Sequence, residues 1–478
     1  MRVLLVVPPT GKMIREDRCQ TPIDDLKTVS LRPPLELMCA AGGFEQGGAE
    51  CRIVDYPAEE RGWDGLREDL KSWTPDVLVI SITCPSLAED LKAAVVAKEI
   101  QPTILTLAKG ALFEARDLAP ISACGALDGV LRGECEHTCR EVAEGKPLNE
   151  ILGLSWRDHA RGNGSSPMKH NADRLFEDDL DALPFPARHL IRNDLYTRPD
   201  TGALQTTLIA NRGCPHTCIY CLAQQVAGAK HRRRSPQNIA AEIRECIEKH
   251  GIRSFLFRSD LFTASKKWTL ALCKELVDSG LAAQIDWACN SRVDTIDLEM
   301  AQAMKRAGCF MVAFGVESGD DAVLERLQKR ANADQAREAL RVTRAAGLKA
   351  SAYFLIGLPW ETKQTVNDLI DFACELDPDV AEFFYVYPFP GTELHRLAVA
   401  EGLLREDELP VEAYGQPAMA AAALTREELK RERMRALRRH YLRPRYILRT
   451  LAGARSPKVF ANYMRFGFSQ LGAMLRSR

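Results

Sequence analysis

Short apolar runs alternate with longer amphipathic stretches in two successive series, and this rhythm restricts the available folds more than any other property. In the first series the runs are residues 2–7, 51–55, 76–83, 103–107 and 128–131, with helical periodicity between them, as over 87–100. Strands lacking a polar face must be covered on both sides. The pattern therefore predicts a Rossmann-like, doubly wound parallel sheet over residues 1–150. In the second series the runs are 205–210, 254–257, 285–288, 310–314, 350–355 and 381–387. They alternate with helix-like segments at 236–249, 267–279, 297–306, 320–346 and 362–376. Six strand–helix units with short loops predict a partial, TIM-like (β/α)6 barrel over 201–400, parallel by the handedness of its crossovers.

The polar stretch 160–167 and the proline-fixed stretch 183–188 predict a linker over 151–200, and residues 401–478 read as a helical extension. The 478 residues exceed an ordinary domain, which agrees with two α/β units. No run of about 18 apolar residues is present to cross a membrane. The start reads as a buried strand and not as a secretory leader, because Pro8-Pro9 interrupts it and a small-residue cleavage site is missing. Fifteen scattered cysteines, an odd number, do not fit a secreted disulfide framework and point to a reducing, cytoplasmic setting. The net charge of −1 conceals an asymmetry: residues 426–478 hold 15 Lys and Arg against 3 Asp and Glu.

In both architectures ligands collect at the carboxyl ends of the strands. At the first sheet these ends carry small, hydroxyl-bearing or glycine-bearing segments that let backbone approach a large flat ligand. They nominate Thr10, Thr83, Ser86, Gly110, Arg132, Gly133 and Glu134. After the first barrel strand comes Asn211-Arg212-Gly213-Cys214-Pro215-His216-Thr217-Cys218-Ile219-Tyr220-Cys221, a C-x3-C-x2-C loop. Three thiolates within eight residues suit an iron–sulfur cluster or zinc. Zinc would call for a fourth ligand, for which His216 is the local candidate. A four-iron cluster would leave one iron open to a small molecule, and the absence of a second CxxC pair favours it.

The cysteine loop, with Tyr220 just before its last cysteine, resembles the signature of the radical S-adenosylmethionine (SAM) superfamily. The open sheet ahead of it resembles the cobalamin-binding domain of one large subfamily. The resemblance implies a [4Fe-4S] cluster on Cys214, Cys218 and Cys221, with SAM chelating the fourth iron and cleaved to a deoxyadenosyl radical. It further implies SAM contacts from Tyr220, from Asp260 to the methionine ammonium and from Arg292 to the carboxylate. Glu317 and Ser318 would meet the ribose, and Gly357 and Pro359 the adenine, while the sixth strand end, with Tyr387, would face substrate. The seven first-sheet residues would contact cobalamin. Arg132-Gly133-Glu134-Cys135-Glu136 stands near the subfamily's Arg-Gly-Glu-Gly-Glu, whereas Lys109-Gly110-Ala111-Leu112 departs from its usual Gly-Gly and His. No Asp-x-His-x-x-Gly cobalt-ligand motif occurs.

Tyr387 and Cys19 are the catalytic candidates, Cys19 because it stands in an arginine-flanked polar loop near the first strand end. Most other cysteines read as small buried hydrophobes. The basic stretch from Arg431 onward reads as a helix on the barrel, with an anionic membrane surface as a second partner and nucleic acid disfavoured. The sequence as a whole predicts a cobalamin-dependent radical SAM methyltransferase acting at an unactivated carbon of a small-molecule or lipid substrate. An external ferredoxin- or flavodoxin-type protein would supply electrons. The alternative reading is cyclisation, oxidation or rearrangement with the same cofactors, and a third is a non-catalytic cobalamin sensor.

Overall fold

The computed structural model describes residues 1–16, 19–23, 31–110, 119–158, 167–405 and 416–453. The first unit contains β1 (Arg2–Val7), β2 (Met13–Glu16), β3 (Cys19–Pro22), β4 (Glu50–Asp55), β5 (Val77–Ser81), β6 (Leu105–Lys109), β7 (Gly129–Leu131), β8 (Leu154–Arg157) and β9 (Met168–His170). Every residue of β1 after Arg2 is buried, as a strand covered on both faces requires. The sheet order is β4-β1-β5-β6-β7-β8-β9, with β4 through β7 parallel to their neighbours and β8 and β9 antiparallel. Strand order reverses between β1 and β5, the switch point at which such sheets open a crevice. The span 151–200, expected as a linker, thus supplies the last two strands at one end of this sheet. The hairpin β2–β3 was not foreseen either. Cys19 begins β3, and its side chain lies outside the described residues.

The second unit contains β10 (Gln205–Arg212), β11 (Arg232–Arg233), β12 (Ser254–Ser259), β13 (Asp286–Arg292), β14 (Cys309–Glu317), β15 (Lys349–Ile356) and β16 (Val380–Tyr385). Six strands from β10 to β16 run parallel, with β11 antiparallel on the outer edge, so the barrel is open. Its helices begin where short polar side chains can accept the free N–H groups of a first turn: Ser235, Ser265, Asp297, Asn332 and Thr362 all do so. Phe257, Phe262, Trp268 and Trp287 pack at 5.2–5.5 Å between ring centroids in its core. The expected single helix over 320–346 is two helices, Asp321–Arg326 and Ala333–Ala345, separated by a turn.

The two units share a core. Tyr387, Phe389, Leu222 and Val226 pack with Leu4, Val6, Ile80 and Leu87 of the first unit. The basic helix Arg426–Tyr441 lies on the barrel, where Arg433 Nε donates to Phe383 O at 2.7 Å and Arg439 pairs with Asp371. Residues 454–478 of the extension lie outside the described residues. Among the described residues no helix is long and apolar enough to cross a membrane.

Candidate active site

The carboxyl rims of both sheets meet around one cavity. Lys109 at the end of β6, Glu134 and Glu136 after β7 and Glu36 on the helix Leu35–Gln46 line it from one side. Arg212 at the end of β10 and Arg258 in β12 line it from the other. Ion pairs cross the seam: Arg212 with Glu136, Arg232 with Glu134 at 2.5 Å, and Arg258 with Glu36 at 2.5 Å. Burial would raise the Glu36 carboxyl, but Arg258, Lys109 and Arg212 together bring it down to about 2. Glu136 is likewise lowered, the pull of Arg212 overcoming burial. The walls are therefore ionised at neutral pH, and the charges hold the two units face to face.

The cysteine loop runs between Arg212 and Ala223, both of which stand in the cavity wall. Gly213 begins it at φ +90°, and a Cβ there would stand 2.1 Å from Lys230 O, so only glycine fits. Cys214 is buried beside Cys221, Ala223 and Leu261. Burial, with a smaller contribution from the negative charge of Cys221 and Asp260, pushes its thiol up to about 11. Such a thiol is not a free nucleophile at neutral pH, and a bound metal is what would deprotonate it. Ala223 N donates to Cys221 Sγ at 3.4 Å, a contact that suits a thiolate. Among the described residues no three His, Cys, Asp or Glu side chains converge as ligands of one ion do. A four-iron cluster binds each cysteine at a different iron and does not ask for that convergence.

The barrel rim gathers the expected SAM residues but engages each with a partner of its own. Asp260 accepts from Gly213 N and so ties the cysteine loop to the β12 end. The Arg292 fork is taken by Asp294, at 2.8 and 2.9 Å, not left open for a carboxylate. Glu317 pairs with Lys329 at 2.7 Å, and Lys329 reaches the Tyr220 hydroxyl at 3.4 Å. Burial, then the charge of Glu317, keeps that phenol protonated. Ser318 Oγ accepts from Asp320 N and shapes the turn after β14. Gly357, at φ +89°, donates its N–H to Glu361, while Pro359 O accepts from Ala422 N at 2.7 Å. Lys329 and Glu361 were not singled out by the sequence. Glu361 stands two residues beyond Pro359, and burial lifts it to about 7 against the pull of the Gly357 and Leu358 N–H groups.

At the first rim the nominated hydroxyls turn inward. Thr10 Oγ1 and Ser86 Oγ each donate to Asp90 at 2.6 Å, and Thr83 Oγ1 lies 2.6 Å from Ser86 Oγ. Arg15, carried on β2, pairs with Asp90 at 3.0 Å and donates to Ser81 O at 3.0 Å. Gly110 is a glycine because Ile82 O would stand 2.3 Å from any Cβ there. Gly133 O accepts from Lys109 Nζ at 2.6 Å, Arg132 Nη2 donates to Asn171 O at 2.5 Å, and Glu134 pairs across the seam. Tyr387 donates its hydroxyl to Cys84 Sγ at 3.0 Å inside the shared core.

Residues 208–373 match the model of the radical SAM superfamily. The chain is 29% identical over 455 residues to an uncharacterised methyltransferase of Pyrococcus horikoshii, covering 94% of this chain and 95% of that protein. It is 25% identical over 428 residues to the anaerobic magnesium-protoporphyrin IX monomethyl ester cyclase of Cereibacter sphaeroides, covering 86% and 67% respectively. Among solved structures, the radical SAM methyltransferase TsrM from Kitasatospora setae, with cobalamin and a [4Fe-4S] cluster bound, superposes at a TM-score of 0.65. The identity is 17%, over 84% of this chain and 75% of that one.

Proposed function

We propose that this chain, a radical SAM enzyme with a Rossmann-like sheet ahead of its barrel, is a cobalamin-dependent methyltransferase acting at an unactivated carbon. The observation that carries the reading is the cavity between the two carboxyl rims, walled by Arg212, Asp260 and Ala223, with Cys214 of the three-cysteine loop packed against that Ala223. When bound, the cluster and cobalamin supply an electron for SAM cleavage and a methyl group for transfer.

The residues present fit these groups. Cys214, Cys218 and Cys221 are soft donors on one loop, in part buried, and the Cys214 thiol is held up by its burial until a metal binds it. Arg212 Nη1 is buried in the cavity wall without a hydrogen-bond partner, a donor for the amide oxygens on a corrin's rim. In the barrel, Asp260 would hold the cysteine loop in register, Glu317 would accept the ribose hydroxyls and the Gly357–Pro359 backbone would pack on adenine. Thr10, Thr83, Ser86, Gly110, Arg132, Gly133 and Glu134 would shape the corrin-facing rim through the networks around them. The ion pairs across the seam exclude water by keeping the rims closed.

The substrate is a small molecule or lipid reaching this cavity, and an external ferredoxin- or flavodoxin-type protein donates electrons in the cytoplasm. A peripheral membrane contact, if made, belongs to the helix Pro444–Ala452, where Ile447 and Leu448 are exposed beside Arg445. The likeness to the cyclase favours a second reading, radical ring formation without methyl transfer.

Anaerobic reconstitution separates these. About four irons per chain, SAM cleavage and deuterated methyl groups passing from SAM into product are expected. Iron and cleavage that persist in Cys218→Ala would remove the cluster assignment, and product lacking the label would favour the cyclase-like reading.

A further inference from the structure

The barrel rim contains one buried charge that neither the cysteine motif nor the strand ends account for. Lys329 is 5% exposed, with its Nζ 2.7 Å from Glu317 Oε1 and 3.4 Å from the Tyr220 hydroxyl. An ammonium is buried at a cost unless it is paired, and here the pair sits in a turn of left-handed backbone that closes the helix Asp321–Arg326. Six non-glycine residues among those described have positive φ, and three of them hold the two ends of this ion pair: Glu317 at +68°, Gln328 at +53° and Arg330 at +53°. Strained backbone of this kind persists only where its surroundings over-determine it, and it gathers at functional sites. Gly315 leaves the space: a Cβ there would stand 2.5 Å from Glu317 Oε1 and 3.0 Å from Lys329 Nζ.

The same segment reaches two more parts of the site. Leu327 O accepts from Ile219 N, inside the cysteine loop, at 3.2 Å. The carbonyls of Lys329 and Arg330 accept from Arg292 Nη2 at 2.7 and 3.3 Å. One strained strap, residues 327–330, therefore joins the cysteine loop to the ends of β13 and β14. A helix continued through this segment would place none of these contacts. We infer that Lys329 is a positioning residue for SAM: it fixes Glu317 and Tyr220 beside the cysteine loop, so that Glu317 meets the ribose hydroxyls as a carboxylate in a single pose. The inference rests on the radical SAM reading of the barrel and adds to it the residue that organises the nucleoside side of the site.

The test uses the full chain, reconstituted anaerobically, with iron counted before each measurement. Lys329→Met removes the charge at similar length, and Lys329→Arg keeps it. SAM affinity is measured by equilibrium dialysis at matched iron content, and the EPR signal of the reduced cluster is recorded with and without SAM. Lys329→Met should bind SAM about ten- to a hundredfold more weakly. It should also lose the SAM-induced change in the EPR signal at a concentration that saturates the wild type. Lys329→Arg should recover affinity to within about threefold. Unchanged SAM affinity in Lys329→Met overturns the inference. Should that variant not fold, because Glu317 is left buried and uncompensated, the double variant K329M/E317Q removes both charges. Weaker SAM binding in the double variant than in Glu317→Gln alone supports the assignment, and affinity equal to that single variant overturns it. A wild-type chain that holds its iron yet binds no SAM overturns this inference and the radical SAM reading together, whereas wild-type binding with an indifferent Lys329→Met overturns this inference alone.

Discussion

The two rims that face each other across the cavity solve the same problem in opposite ways. At the first sheet, Thr10, Thr83 and Ser86 close on Asp90, and Arg15 from the β2–β3 hairpin fills the switch-point crevice. At the barrel, the comparable groups are tied by a strap with left-handed backbone and by the buried pair of Lys329 with Glu317. The first rim ties Thr10, Thr83, Ser86 and Asp90 together in ordinary backbone, while the barrel rim holds Glu317, Gln328 and Arg330 in the left-handed region. A residue type suited to a ligand at a strand end is thus no guide to whether it faces the ligand. Under the proposed function the barrel rim, where the chain bears a conformational cost, would be the one built around the reacting molecule.

The comparison is most exposed at Asp90. Arg15 and Asp90 have side chains 6% and 0% exposed, so Asp90→Ala leaves a guanidinium buried without its partner. A loss of about 3–5 kcal/mol in stability is expected, read by urea unfolding followed through the first unit's signals. A loss below about 1 kcal/mol would mean that the crevice is open and the hairpin is no plug.

The barrel side is tested through pH. Glu361 titrates near 7 in the fold against 4.5 in the unfolded chain, so the native state holds the extra proton between those values. Stability from this group is full below about 4.5, falls as pH rises toward 7, and is level above it, a difference of about 3 kcal/mol. His440, buried and lowered to about 3, contributes the opposite slope between 3 and 6.5, losing stability as pH falls. The difference between wild type and Glu361→Gln across pH 4.5–7 therefore isolates the carboxyl. Parallel pH curves for the two proteins would place Glu361 in contact with water.

A smaller effect is expected at Gly110, which the sequence nominated as a ligand contact. Ile82 O, a backbone atom, lies 2.3 Å from where a methyl group on Gly110 would sit, so Gly110→Ala should cost about 1–3 kcal/mol in stability whether or not cobalamin is present. If the cost appears only as weaker cobalamin retention, the glycine serves the ligand and the first rim is less self-contained than its hydrogen bonds suggest.

Both sheets, their strand ends and the cysteine loop were legible because burial periodicity and ligand spacing are local properties. The turn at 327–332 was not. Gln328, Lys329 and Arg330 are good helix formers, yet the helix Asp321–Arg326 closes on Gln328 in left-handed backbone, with Lys329 N donating to Leu324 O at 3.0 Å. One local signal was available: Asn332 accepts from Gln335 N at 2.9 Å in a capping box, the mark of a new helix start. The hairpin β2–β3 and the terminal strands β8 and β9 of the first sheet lacked even that, being 3–4 residues long. Arg292 illustrates the limit at the site itself. Its type and strand-end position suited a carboxylate of SAM, and a carboxylate two residues away, Asp294, has taken the fork.

The weakest expected effect, and the most discriminating for the seam, is at Tyr387. Its ring is 2% exposed, stacks edge-on against Phe389 at 4.5 Å between centroids, and its hydroxyl donates to Cys84 Sγ at 3.0 Å. Cys84 belongs to the loop after β5, so this bond joins the two rims directly. Burial pushes the Cys84 thiol up to about 12, and the bond is therefore one between a neutral phenol and a neutral thiol. Removing it by Tyr387→Phe should lower stability by about 1 kcal/mol and leave turnover at saturating SAM within about twofold, because the ring still fills its place in the shared core. A catalytic phenol would behave in reverse, with turnover falling about a hundredfold or more at unchanged stability. Pairing the variant with Cys84→Ala distinguishes the two further: if the hydroxyl acts only through the thiol, the double variant loses no more stability than Cys84→Ala alone.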